Sequence, residues 1–306
     1  MSTLQAFFKG QYIPQSEAKI GILTHAFNYG TGVFEGIRAY WNDEEQQLYV
    51  FKLKEHYERL RNSCHILSIE LRYSVPELCD ITTELLRRSE VRSDIYIRPI
   101  AYKSGEVIGV RLHDIEDDFT VTCVRIGKYI GAEVARCKIS SWRRMDDASA
   151  PVRAKITGIY VNSALAKTEV VMDGYDEAIL LNADGHVSEG SGENLFIVRN
   201  GVLSTPAVSD NVLEGITRDF VMQLAREELG IKVDERTIDR SELFVADECF
   251  MTGTAAEITP IGEVDRRRIG AGQIGPITAR LRTAFAGAVR GNDPRYAAAC
   301  SPVWPK

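Results

Sequence analysis

One lysine in this chain stands where an amine could act on a carbonyl carbon. Lys155 lies in RAKITGIYVNSALAKTE between Ala154 and Ile156, just before Gly158. There an extended stretch gives way to a helical pattern opened by Tyr160 and continued by Ala164, Leu165 and Thr168. Apolar neighbours disfavour the charged form of a lysine, and the neutral amine is the nucleophile that forms a Schiff base. A lysine seen alone is nearly always a solvated surface residue. Its company downstream changes the reading. Glu189 sits between Ser188 and Gly190 in VSEGSGENLF, with a second carboxylate, Glu193, close behind. In LEGITRD, Gly215 precedes a helical run that starts at Ile216 and Thr217, and in MTGTAA, Gly253 precedes Thr254 and Ala255. Both stretches suit an anion, because the first N–H groups of a helix or tight turn lack internal partners. An ordinary capped helix is the commoner reading of either one. Arg98, in DIYIRPIAY, shares a strand face with Tyr96 and Ile100, and an arginine bracketed by apolar residues is costly unless it is paired or binds an anion.

These residues belong to a chain of 306 amino acids, long enough for about two domains. Hydrophobic residues make up 44% and charged residues 26%, the balance of a globular protein with a sizeable core. The net charge of −6, with no basic face, argues against a nucleic-acid partner. The run Arg266-Arg267-Arg268 reads as a solvated loop. No apolar stretch approaches the roughly 18 residues of a membrane helix, and the N-terminus lacks a signal peptide's apolar core. Six scattered cysteines without a CxxC pair fit a reducing cytoplasm, and five histidines without ligand spacing predict no metal site.

The positioning elements follow in chain order. Residues 5–13 read as a hairpin turning at Lys9-Gly10. ILTHAFNYGTGVFEGIRAY interleaves Gly30, Gly32 and Gly36 with Phe27, Tyr29, Phe34 and Tyr40; it is either a loop feeding a buried strand or a tight loop carrying aromatics to a pocket. A helix is predicted over 54–70, with Tyr57, Leu60, Cys64 and Leu67 on one face and Arg59 off it. Ser74 and Glu77 form a capping box for a second helix. DIYIRPIAY and DFTVTCVRI alternate as strands, and Gly127 and Gly131 bracket Tyr129 in a connection. CKISSW begins the second half as a strand; after the Lys155 helix come a glycine-punctuated meander, an amphipathic helix from Ile216, a strand into Gly253-Thr254, and a helix over GPITARLRTAFAGAVR. The tail from Gly291 reads as irregular.

Taken in order, Lys155-x-x-Gly158-x-Tyr160, VSEGSGENLF, LEGITRD and MTGTAAEITP resemble the class IV aminotransferases, fold type IV enzymes that depend on pyridoxal 5′-phosphate. Most closely they resemble the branched-chain amino-acid aminotransferases. YGTGVFEGIRAY, the HYERL helix and YIRP extend the resemblance over nearly the whole chain. It implies an α/β fold of the α+β type: a smaller N-terminal α/β domain over 1–125, a connection over 126–135, and a larger C-terminal mixed-sheet domain over 136–306. By resemblance, Lys155 is the lysine that bonds the cofactor and later moves the substrate's Cα proton. Glu189 faces the pyridine nitrogen, Tyr160 lies near the ring oxygen, Arg59 binds the phosphate, and Ile216, Thr217 and Thr254 meet it through turn and helix N–H groups. Tyr96 and the backbone of Thr254 and Ala255 would hold the substrate α-carboxylate. Tyr29, Arg98 and Tyr129 would meet the side-chain carboxylate of glutamate, and Phe34, Gly36, Tyr160, Ile108 and Val110 would wall the pocket for a branched chain. A homodimer or higher homo-oligomer is implied, with Tyr29 and Val110 reaching the neighbouring subunit's site.

Family members often carry Asn where Ile159 stands, and some carry Trp near Ile126, so the breadth of substrates is left open. The implied reaction is reversible transfer of the amino group of L-leucine, L-isoleucine or L-valine to 2-oxoglutarate. Rivals on the same scaffold are D-amino-acid transaminase, (R)-selective amine transaminase and aminodeoxychorismate lyase. A non-catalytic dimeric scaffold would have no reason to keep Lys155, Glu189, Tyr160 and both phosphate-type turns together.

Overall fold

The computed structural model describes residues 4–127 and 129–305. Lys128, inside the expected connection, lies outside the described residues. The chain forms two compact units, one from 1–127, 154–158 and 287–306, the other from 128–153 and 159–286. Both are discontinuous in sequence, whereas the sequence reading divides the chain once, at 126–135. The reason is strand pairing: Ile156 bridges Val33, and Cys300–Pro302 adds antiparallel to Gln47–Phe51.

In the first unit the sheet runs in the order Cys300–Pro302, Gln47–Phe51, Ile37–Asn42, Ile95–Lys103, Asp117–Val124, Gln5–Phe8, Gln11–Pro14, with Gly32–Phe34 also paired to Ile95–Lys103. The hairpin at Lys9-Gly10 forms as read. Strand Ile95–Lys103 alternates buried and half-buried residues, so Tyr96, Arg98 and Ile100 share one face. Helices Leu53–Ile66 and Val75–Arg88 cover the sheet, the second opened by the Ser74/Glu77 capping box. The first stops four residues short of its predicted end, because Ser68 takes a left-handed conformation (φ 53°). Residues His25–Tyr29, read as loop, close a short helix against Gly30. The tail is also more ordered than read: Pro294–Ala299 makes a 3₁₀ turn, and Tyr296, Cys300 and Val303 are buried.

The second unit holds a mixed sheet in the order Val187–Gly190, Glu177–Leu181, Ala135–Arg143, Glu257–Val264, Glu248–Gly253, Asn194–Arg199, Val202–Thr205, Val233–Glu235, with Arg267–Arg268 paired to Glu257–Val264. Those two arginines are exposed, though paired in a short strand rather than looped. One face buries Ile139, Ile179, Leu195, Met251 and Ile261. On the other, helix Tyr160–Met172 packs Ala166 and Val170 against Ala178 and Leu180. The rings of Phe196 and Phe250 stack at 5.1 Å, and Phe220 anchors helix Ile216–Glu227 against Phe285 at 6.1 Å. That packing fixes where the helix's N-terminus points. No described helix is long and apolar enough to cross a membrane.

Candidate active site

The candidate residues divide between the two units. In the first, the lysine segment is laced onto the strand before it. Phe34 N donates to Lys155 O (2.9 Å), Thr157 N to Gly32 O (2.8 Å) and Gly158 N to Gly30 O (3.1 Å), while Lys155 N donates to Ser63 Oγ (3.2 Å). The Lys155 backbone is therefore held by both a strand and a helix. Its Nζ stands 5.0 Å from the centre of the Phe34 ring, and the Arg98 guanidinium stands 4.4 Å from the same ring. Arg98 also donates to the Tyr96 hydroxyl at 2.8 Å, while its buried Nε has no hydrogen-bond partner among the described residues. A buried donor left over in this way marks a place where an acceptor would be welcome. Gly36 lets that hydroxyl in, because any Cβ there would collide with Tyr96 Oη.

Arg59, from helix Leu53–Ile66, is gripped by Glu35: Nε donates to Oε1 at 2.7 Å and Nη2 to Oε2 at 2.8 Å. His56 Nδ1 meets Oε2 at 2.7 Å. Tyr29 accepts from Gly109 N at 3.1 Å, and the loop carrying Ile108 and Val110 is tied down by buried His25, which bridges Thr31 Oγ1 and Gly109 O. Ile108 and Val110 themselves are 71% and 82% exposed, on the unit's surface rather than in its interior.

In the second unit, Tyr160 is the first residue of its helix, as read. Glu189 is nearly buried and anchored at both oxygens. Arg144 Nε pairs with Oε1 at 2.8 Å, while Asn194 Nδ2 and Leu213 N donate to Oε2 at 3.1 and 2.9 Å. Three donors, one of them cationic, suit an ionised carboxylate. Ile216 and Thr217 open their helix behind Gly215, which offers no side-chain cap. A Cβ at Gly215 would run into Asn194 Oδ1, so the same asparagine sets both the carboxylate and the helix start. Thr254 and Ala255 form the half-buried turn after strand Glu248–Gly253, whose Gly253 packs beside Gly192. Tyr129 is half exposed, with Lys167 Nζ 5.9 Å from its ring.

Glu193 has the opposite character to Glu189. It is buried, its Oε1 has no hydrogen-bond partner among the described residues, and Oε2 accepts from Gly192 N at 3.1 Å. Burial, reinforced by the charge of Glu177, pushes its pKa up to about 8. Glu177 pairs with Lys167 at 2.5 Å, so that cation is already engaged. A carboxyl neutral at pH 7 cannot supply a standing negative charge, which separates the two neighbouring glutamates chemically. The folded state holds this proton between the unfolded pKa of 4.5 and about 8 while the unfolded chain gives it up, so the group subtracts stability as pH rises through that window. Glu193→Gln should therefore gain in thermal midpoint relative to wild type between pH 5 and pH 8. Parallel midpoints across that range would contradict the assignment.

Sequence reading missed Glu35, His56, Arg144 and Asn194. Glu35 in VFEGI and Asn194 before LFIV show a polar residue beside apolar ones, whereas His56 in KEHYE and Arg144 in WRRMD carry no such local signal. The first unit supplies a positioned primary amine and an arginine; the second supplies an anchored carboxylate and a helix N-terminus without a side-chain cap. These are the donor types that fit pyridoxal 5′-phosphate.

Comparison with known proteins agrees. The amino-transferase class IV family matches residues 32–264. A probable branched-chain-amino-acid aminotransferase of Aquifex aeolicus is 54% identical over 302 residues, 98% of this chain and 97% of that one. The Escherichia coli K12 branched-chain-amino-acid aminotransferase is 40% identical over 290 residues, 93% of each. The solved branched-chain aminotransferase of Thermoproteus uzoniensis with norvaline superposes with a TM-score of 0.94 at 45% identity, covering 98% of this chain and 99% of that chain. The branched-chain amino acid aminotransferase of Thermobaculum terrenum in its PLP form also reaches 0.94, at 38% identity over 99% of each chain. The chain belongs to the class IV aminotransferases, and within them to the branched-chain-amino-acid aminotransferases.

Proposed function

We propose that the chain catalyses reversible transfer of the amino group of L-leucine, L-isoleucine or L-valine to 2-oxoglutarate. The observation that carries this is the grouping of Lys155 and Arg98 on the Phe34 ring, an amine beside an arginine with a leftover buried donor. Bound pyridoxal 5′-phosphate supplies the reactive carbonyl carbon and an electron-withdrawing ring. Lys155 would hold the cofactor at that carbon, and its amine would take and return the substrate's Cα proton. Glu189 holds a negative charge against the ring nitrogen, steadied by Arg144, Asn194 and Leu213 N. Tyr160 meets the ring oxygen. Arg59, Ile216, Thr217 and Thr254 hold the phosphate, while Tyr96 and the Thr254-Ala255 backbone take the α-carboxylate. Tyr29 and Tyr129, with Arg98, complete the place for glutamate's second carboxylate; Phe34 and Gly36 give the apolar wall. The protein works in the cytoplasm as a homodimer. Exposed Phe27, Ile108 and Val110 support an interface on the first unit, so Val110→Asp should shift the mass measured by light scattering towards the monomer.

One pocket must take leucine's apolar chain and glutamate's carboxylate in successive half-reactions. Arg98 can serve both, since its guanidinium already lies over the apolar Phe34 ring and its buried Nε can donate to a further acceptor. Arg98→Leu should leave cofactor binding and the L-leucine half-reaction intact. The half-reaction with glutamate or 2-oxoglutarate should weaken by about 2–4 kcal/mol. Single-turnover spectra separate the two halves; equal losses would assign Arg98 to the shared α-carboxylate instead.

A further inference from the structure

Glu35 is fully buried, yet it is a carboxylate. An isolated charge in such a place is very costly, and only complete pairing makes it tolerable. Both oxygens are engaged, one by Arg59 Nε and the other by Arg59 Nη2 and His56 Nδ1. Burial pushes this carboxyl's pKa up, but Arg59 and His56 together reverse that and hold it below the ordinary carboxylate range. Burial lowers the pKa of His56, which is 2% exposed, so the imidazole is neutral at pH 7 and serves Glu35 as an N–H donor.

The arrangement also crosses between two rigid elements. Glu35 follows strand Gly32–Phe34 and its own N–H donates to Pro99 O at 3.0 Å. His56 and Arg59 stand three residues apart on helix Leu53–Ile66, hence on one face. A guanidinium held through Nε and one Nη cannot rotate about its terminal bonds, and its plane is fixed by the carboxylate. A lysine in this position could be paired but not oriented.

We propose that Glu35, braced by His56, is a positioning residue that fixes the plane of the Arg59 guanidinium for the cofactor's phosphate. This rests on the reading of Arg59 as the phosphate arginine. Its consequence is selective: losing Glu35 should weaken the grip on a phosphorylated ligand and leave the grip on the unphosphorylated ring alone.

The full-length protein, freed of cofactor, is titrated with pyridoxal 5′-phosphate and separately with pyridoxal, following visible absorbance. Glu35→Gln should bind the phosphorylated ligand roughly ten- to a hundredfold more weakly, the usual cost of losing charge-assisted hydrogen bonds, with pyridoxal unchanged. Equal weakening of both ligands would reveal a general structural role and overturn the proposal. Arg59→Ala is measured beside it. If Arg59→Ala keeps the wild-type preference for the phosphorylated ligand, the phosphate reading of Arg59 falls, and this proposal with it. If Arg59→Ala loses that preference while Glu35→Gln keeps it, the positioning role alone is overturned. Should Glu35→Gln fail to fold, Arg59→Lys decides: it keeps the cation without the fork and should lose most of the preference, and full retention would overturn the proposal.

Discussion

Lys155→Ala should bring transamination to background, a loss of more than about 10⁴-fold, because both the covalent attachment and the Cα proton transfer depend on one amine. The other lysines near it in sequence are poorly placed to substitute. Lys138 is ion-paired with Asp173, and Lys167 with Glu177 at 2.5 Å, so each amine is committed to a carboxylate. Lys155 Nζ stands over the Phe34 ring, on a backbone pinned at Phe34 and Ser63. Borohydride reduction of the wild-type holoenzyme should leave a pyridoxyl mass on the peptide containing Lys155. A label on Lys138 or Lys167 would refute the assignment.

Glu189→Gln should keep the fold and much of the cofactor while losing about 3 kcal/mol of transition-state stabilisation, roughly a hundredfold in kcat. The surroundings sharpen that expectation. Arg144 donates to one oxygen, and Asn194 and Leu213 N donate to the other, so a glutamine must turn its NH₂ towards a donor whichever way it flips. Glu193 cannot take over at neutral pH, because its buried carboxyl stays protonated up to about 8. Near-normal kcat in Glu189→Gln would show that a different acid faces the ring nitrogen.

Features set by neighbours along the chain are legible in the sequence. The Ser74/Glu77 capping box, the hairpin at Lys9-Gly10, the helix start at Tyr160 and the shared face of Tyr96 and Arg98 all depend on short spacings. What was not legible depends on distant partners. Glu35 meets residues 21 and 24 positions away, and nothing in VFEGI says that its charge is matched on a helix. Arg144 reads as one of two arginines at a strand end until the fold brings Glu189 beside it. The tail reads as irregular because Cys300–Pro302 has no strand pattern of its own and becomes a strand only by pairing with Gln47–Phe51. Likewise, the single division of the chain failed to anticipate that residues 154–158 join the first unit, since that depends on the bridge from Ile156 to Val33. Glu189 and Glu193 look alike in SEGSGEN and are both buried; the donors that reach their oxygens tell them apart.

The most direct test of the account is a two-step mixing experiment on the purified holoenzyme. L-leucine added alone should bleach the cofactor's visible band in a single turnover, with one 2-oxo acid released per active site. Adding 2-oxoglutarate should then restore the band and yield an equal amount of L-glutamate. No bleaching with L-leucine, L-isoleucine or L-valine, alongside full bleaching with a D-amino acid or an (R)-aryl amine, would contradict it.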